Sequence, residues 1–142
     1  MDATKLAAGT ESGPMSVLLR GGVVILTLLT AAIHASLGGL LFTLNAAVYL
    51  ALAVAMILPA IAPFRWLARL ALFGFASATI AGWLLFGARF QLAYIDKAIE
   101  LALLCFLAIE VWLFDGGPVA DVRRLRRLAA GMAGALKTWS AR

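Results

Sequence analysis

The chain has one cysteine and one histidine in 142 residues, and only 13% of its residues are charged. Each shortage excludes something. Cys105 alone gives no disulfide framework and no Cys-x-x-Cys pair for redox or metal chemistry. His34 alone cannot supply paired axial haem ligands, which leaves only a single-ligand haem or chlorin as a cofactor reading, and no other cofactor is expected. No grouping of His, Cys, Asp and Glu has structural-zinc spacing, so no metal is expected. Asp2, Ser12, Asp121 and Ser140 lie in the tails, far in sequence from His34, so a Ser-His-Asp arrangement has no support. The glycine pairs at Gly21 and Gly38 lack the strand-to-helix context of a phosphate loop. Nothing in the sequence points to an enzyme.

Apolar residues fill the space that charge leaves. They make up 64% of the chain and the mean hydropathy is +1.01, where soluble domains run roughly 45–50% apolar and about 25% charged. The expectation is an all-α, polytopic membrane protein. Four stretches approach the roughly 20 residues that cross a bilayer core, at about 15–37, 40–58, 66–86 and 92–114. Ser36, Gly38 and Gly39 supply a tight first turn. Pro59 and Pro63 end the second stretch, since proline lacks the amide proton and disfavours helix in the residue before it. GARFQ (87–91) makes the third turn, and DGGP (115–118) stops the fourth stretch. Residues 1–14, MDATKLAAGTESGP, hold too little apolar surface to fold and are expected to form a mobile cytoplasmic tail. A cleaved leader ending near Ile33 and Ala35 is the rival reading of the first stretch. Its length, and the bulk of Ile33 where a small residue is preferred, argue for a retained span.

Ten of the twelve Lys and Arg residues fall on one side of this topology, before or early in the first span, around the second junction, and after the fourth span. The positive-inside rule then puts both termini in the cytoplasm, in a bacterial inner membrane. Trp66 and Trp112 fall near the inner interface and Trp83 and Tyr94 near the outer one, as an aromatic belt requires.

Residues 118–139 change character. At 100° per residue Val122, Leu125, Leu128, Ala129, Met132, Leu136 and Trp139 share one arc, with Arg123, Arg124, Arg126, Arg127 and Lys137 mostly opposite. This pattern predicts a basic amphipathic helix in the cytoplasmic interface, each basic residue gaining roughly 1 kcal/mol beside anionic headgroups. An acidic protein partner is the alternative; nucleic acid is not expected, because the basic residues cluster beside membrane segments.

The fourth span, YIDKAIELALLCFLAIEVW (94–112), holds charges where hydrocarbon tolerates few. Asp96, Glu100, Leu103, Leu107, Glu110 and Phe114 lie on one stripe. Glu100 and Glu110 are about 15 Å apart along the axis, with Glu100 the buried one, Asp96 and Lys97 at the outer headgroups and Glu110 near the inner boundary. A charged, lipid-facing carboxylate costs a few kcal/mol, so the stripe should face other helices. Candidate partners are Thr27, Thr30 and His34 on the first span and Asn45 and Tyr49 on the second, with Arg20 or a tail arginine for Glu110. Two readings of this polar seam stand: interhelical hydrogen bonds among His34, Asn45 and Glu100 that fix geometry, with Lys97 paired to Asp96 or Glu100, or a proton or cation site with Glu100 titrating and His34 relaying. In the third span, Gly74, Ala78 and Gly82 recur every four residues, which lets helices approach closely. Packing within the chain is the plain expectation, and a homodimer seam the alternative.

The run SLGGLLFTLNAAVYLALAVAMILP, the short basic turn after it, YIDKAIELALL and the later Glu110 resemble small four-span bacterial membrane proteins of uncharacterised function, over about Ile33–Trp112. The resemblance implies a four-helix bundle and no activity. Small multidrug exporters are similar in size but use a glutamate in the first span, where this chain has none. Quinone-coupled disulfide-forming enzymes need the missing Cys-x-x-Cys, and a DoxX-like bundle is similar in span number only. The expected function is therefore a non-catalytic accessory, assembly or scaffold subunit that packs against other membrane helices or itself. The alternative is an oligomeric proton- or cation-coupled transporter using Glu100, and the third reading is haem or pigment binding through His34.

Overall fold

The computed structural model describes residues 13–114 and 117–140. It is all-α. Helix α1 spans Pro14–Leu37, α2 Leu40–Ile57, α3 Arg65–Phe86, α4 Gln91–Phe114 and α5 Pro118–Ser140, with a 3₁₀ segment at Pro59–Phe64. Pro14 opens α1, where a missing amide proton leaves no helical bond unmade. The α1–α2 turn rests on Gly38 and Gly39, at φ 69° and 83° with ψ 171° and 155°, a backbone region that side chains bearing a Cβ scarcely enter. Pro59 and Pro63 keep the next connection from becoming α-helix, and it tightens into the 3₁₀ segment. At the α3–α4 turn Trp83 donates its indole N–H to the Ala88 carbonyl at 3.1 Å, Arg89 lies 4.3 Å from the Trp83 ring centroid, and Tyr94 packs edge-on against that ring.

Helices α1 to α4 pack in a closed ring, each against its sequence neighbours, with α1 also against α4. Val23, Tyr49, Met56, Leu72, Leu103 and Leu107 fill the centre. Gly22 lets α1 approach α4, because a Cβ there would lie 2.5 Å from the Phe106 ring. Burial is inverted relative to a soluble domain. Among the described residues, nine polar or charged side chains are buried alongside eleven apolar ones, while leucines such as Leu40, Leu85 and Leu101 face outward. Water would not select that surface, whereas acyl chains would. Three segments, Pro14–Leu37, Leu40–Ile57 and Pro59–Phe86, are long and apolar enough to cross a membrane. Helix α4 matches α1 in length at 24 residues but carries Asp96, Lys97, Glu100 and Glu110.

The small-residue stripe corrects one expectation. Gly74, Ala78 and Gly82 are exposed, and a Cβ on either glycine would meet open space. Among the described residues they pack against no other helix. Leu72 and Ala76 take the inward face of α3, and Ala78 lies about 200° around the axis from Ala76. On α5, Val122, Leu125, Leu128 and Met132 are exposed, as are Arg123, Arg126 and Arg127. The side chains of Leu136, Lys137 and Trp139, and residues 1–12, lie outside the described residues.

Candidate functional site: two buried charge clusters on helix α4

The 3.6-residue repeat brings Asp96, Glu100, Leu103, Leu107 and Glu110 to the inward face of α4, and all five are buried. Glu100 has no exposed surface. Its Oε1 accepts a hydrogen bond from the Tyr49 hydroxyl of α2 at 2.7 Å and lies 2.8 Å from Thr79 Oγ1 of α3. Its Oε2 is 2.6 Å from Lys97 Nζ. That ammonium also lies 2.9 Å from Asp96 Oδ2, so one lysine bridges two carboxylates on its own helix. From α1, Thr30 donates to Asp96 Oδ1 at 2.6 Å, and His34 Nδ1 stands 3.5 Å from the same oxygen. The His34 Nδ1 is also 2.9 Å from the Thr30 carbonyl, which assigns the ring proton to that nitrogen. All four ring helices contribute to this one cluster.

Its charge and protons can be counted. Asp96 and Glu100 bring two negative charges, Lys97 brings one positive charge, and His34 is neutral or positive. With His34 neutral the buried set holds one negative charge more than its positive charge offsets. Around Glu100, four oxygen–oxygen contacts of 2.7–3.0 Å, joining Glu100, Tyr49, Thr79 and the Ala76 carbonyl, share two hydroxyl protons.

Ligand atoms of His34, Asp96 and Glu100 converge within 4.8 Å of one another, close enough for one cation. Lys97 already places an ammonium between the two carboxylates, so an added ion would compete with it. The His34 ring packs against Phe42 and Tyr49, at centroid distances of 6.0 and 5.5 Å.

The second cluster lies about 15 Å along α4. Glu110 Oε1 accepts from Arg69 Nη1 at 3.1 Å and lies 3.8 Å from Arg20 Nε. Arg69 and Glu110 are both almost wholly buried, and Arg20 is partly open.

The structure sorts the sequence-derived residues. Thr30, His34, Tyr49, Asp96, Lys97 and Glu100 meet in one cluster, and Glu110 sits in the other. Thr27 is buried but donates to Val23 of its own helix at 2.6 Å, and so contributes nothing between helices. Asn45 is half-buried and joins no hydrogen bond of either cluster. Asp96 and Lys97 are 2% and 7% exposed, each supplying the other's opposite charge inside the ring. Sequence reasoning missed Thr79 and Arg69 as partners. Arg69 carried a signal, being placed to turn inward one helical turn after Arg65; Thr79 carried none beyond a helical spacing of three and seven from Ala76 and Leu72.

Comparison with protein-family models, curated proteins and solved structures finds no match to this chain.

Proposed function

We propose that this protein is a four-span inner-membrane protein of a bacterium, with both termini cytoplasmic, acting as a non-catalytic accessory, assembly or scaffold subunit that associates with other membrane helices through the outer face of α3. The observation that carries this reading is the outward stripe of Gly74, Ala78 and Gly82, with open space over the glycines. Small residues on a lipid-facing surface let a second helix come close enough for extensive van der Waals contact, the main attraction available between helices in lipid. Helix α4 qualifies as the fourth span because its charges turn inward, leaving Ile95, Leu101, Ile109 and Leu113 outside. Its carboxylates are held by donors from the neighbouring helices, an arrangement suited to fixing the bundle's shape. Helix α5 has the exposed apolar and basic residues of an interfacial helix that binds anionic headgroups.

The test is crosslinking in intact membranes. Ala78→Cys in a Cys105→Ser background should form an oxidation-dependent adduct with itself or with a neighbouring membrane protein, and Gly74→Leu should abolish it. A single unshifted band under strong oxidant would rule out association through this face.

One observation favours a second reading, a proton- or cation-coupled transporter: ligand atoms of His34, Asp96 and Glu100 converge within 4.8 Å of one another inside the ring of helices. Glu100→Gln separates the two. Ion-driven flux in liposomes that this variant abolishes would favour transport, whereas the subunit reading expects no flux from either protein.

A further inference from the structure

Four arginines from three helices surround a cavity of about 280 Å³ at the end of the bundle where α1 and α3 begin. Arg20 comes from α1, Arg65 and Arg69 from the first turns of α3 and Arg124 from α5, with Pro63 and Trp66 completing the wall. We propose that this cavity holds the phosphate of an anionic phospholipid, and that one acyl chain of that lipid lies in the adjoining apolar groove.

Charge complementarity supports the headgroup. Arg20, Arg65, Arg69 and Arg124 line the cavity with no carboxylate among its described lining residues, and Arg123, Arg126 and Arg127 are exposed on the same helix as Arg124. Four guanidinium groups thus converge on one recess, a concentration of positive charge that draws an anion. Guanidinium forks match the oxygens of a phosphate diester, and basic recesses between membrane helices on the cytoplasmic side suit anionic headgroups. The Arg20 Nε is buried without a hydrogen-bond acceptor, with Glu110 Oε1 3.8 Å away. A phosphate oxygen would supply one.

The geometry of the groove supports the lipid over a free anion. Arg69 lines both the arginine cavity and a second cavity of about 310 Å³ between α3, α4 and α5. Leu70, Phe73, Leu107, Val111 and Leu125 make that second wall almost purely apolar. A polar recess that shares the Arg69 wall with an apolar groove matches a molecule with a charged head and a hydrocarbon tail. Inorganic phosphate would use only half of it. The site needs the membrane placement but does not depend on helix association through α3.

The experiment is native mass spectrometry of the full-length protein released from mixed micelles containing phosphatidylglycerol and phosphatidylcholine in equal amounts. The expected result is one retained phosphatidylglycerol per chain, with little phosphatidylcholine. Arg65→Gln with Arg124→Gln should lower retention by about thirtyfold, the loss of two contacts of roughly 1 kcal/mol each. Ala108→Trp, which fills the groove and leaves the arginines in place, should lower it as well. Equal retention of the two lipids by the unaltered protein would overturn the proposal, and that measurement needs no variant to fold. Millimolar inorganic phosphate displacing the lipid, with Ala108→Trp having no effect, would also overturn it, in favour of a soluble-phosphate site.

Discussion

Glu100 and Glu110 lie on one stripe of one helix and are buried to the same degree, yet they are held differently. Glu100 is held from α2, α3 and its own helix by contacts of 2.6–2.8 Å, within a set that is rich in acid. Glu110 meets Arg69 at 3.1 Å and Arg20 at 3.8 Å, in surroundings rich in base, beside an open cavity. The first arrangement is closed and short of positive charge; the second is open and has positive charge to spare. A buried carboxylate therefore says little about function until its neighbours are counted, because the same residue on the same face can close a bundle or border a binding site. Removing one neighbour at a time tests the contrast.

The largest effect belongs to Lys97. Lys97→Met removes the one ammonium that both carboxylates share and leaves two buried negative charges facing each other. Removing one member of a buried ion pair costs about 3–5 kcal/mol. Thermal unfolding in detergent should show that loss. Lys97→Met with Glu100→Gln returns the cluster to a single negative charge and should recover a large part of it. A double variant no more stable than Lys97→Met alone would contradict the charge count. Arg69→Met should cost less, about 2 kcal/mol, because Arg20 remains near Glu110 and the site is not fully closed to solvent. Equal losses at Lys97 and Arg69 would erase the distinction between the clusters.

Much of this contrast was legible in the sequence, for reasons that can be stated. The helical period alone turns Asp96, Glu100 and Glu110 to one side, and the high cost of charge in lipid turns that side inward. The same cost places Thr30, His34 and Tyr49 opposite them. Period and polarity do not report which hydroxyl finds which oxygen. Thr79 and Thr27 look alike in sequence, yet the first lies beside Glu100 and the second bonds its own backbone. The pairing of Lys97 with Asp96 or Glu100 is expected from opposite charge, and hydropathy gives no hint of it. Hydropathy treats each charge alone and sends it to the surface, whereas Asp96, Lys97 and Glu100 offset one another and go inside together. The outward direction of Gly74, Ala78 and Gly82 was also hidden, since small residues serve packing within a chain and between chains equally well.

Tyr49→Phe sharpens the contrast at a smaller scale. It removes one hydroxyl donor to Glu100 and leaves the ring against His34 and Phe75. Hydrogen bonds between membrane helices average about 0.6 kcal/mol, but those to a charged acceptor run about 1.5–3 kcal/mol. A loss of about 1.5 kcal/mol is expected, and one below about 0.6 would mean that Thr79 and Lys97 hold Glu100 without help.

The smallest effect comes from two threonines one helical turn apart on α1. Thr30 Oγ1 donates to Asp96 on α4 at 2.6 Å, whereas Thr27 Oγ1 donates to the Val23 carbonyl at 2.6 Å. Valine keeps the shape of threonine and removes only the hydroxyl. Thr27→Val gives up a back-bond inside its own helix that barely favours the helical state, so its stability should stay within about 0.5 kcal/mol of the parent. Thr30→Val strands an oxygen of a buried carboxylate and should cost more than 1 kcal/mol on the same scale. Both residues are wholly buried, so burial cannot separate the two outcomes. If the pair lost equal stability, the hydroxyl's partner would be irrelevant, and the reading of the Asp96 cluster as a link between helices would fail with it.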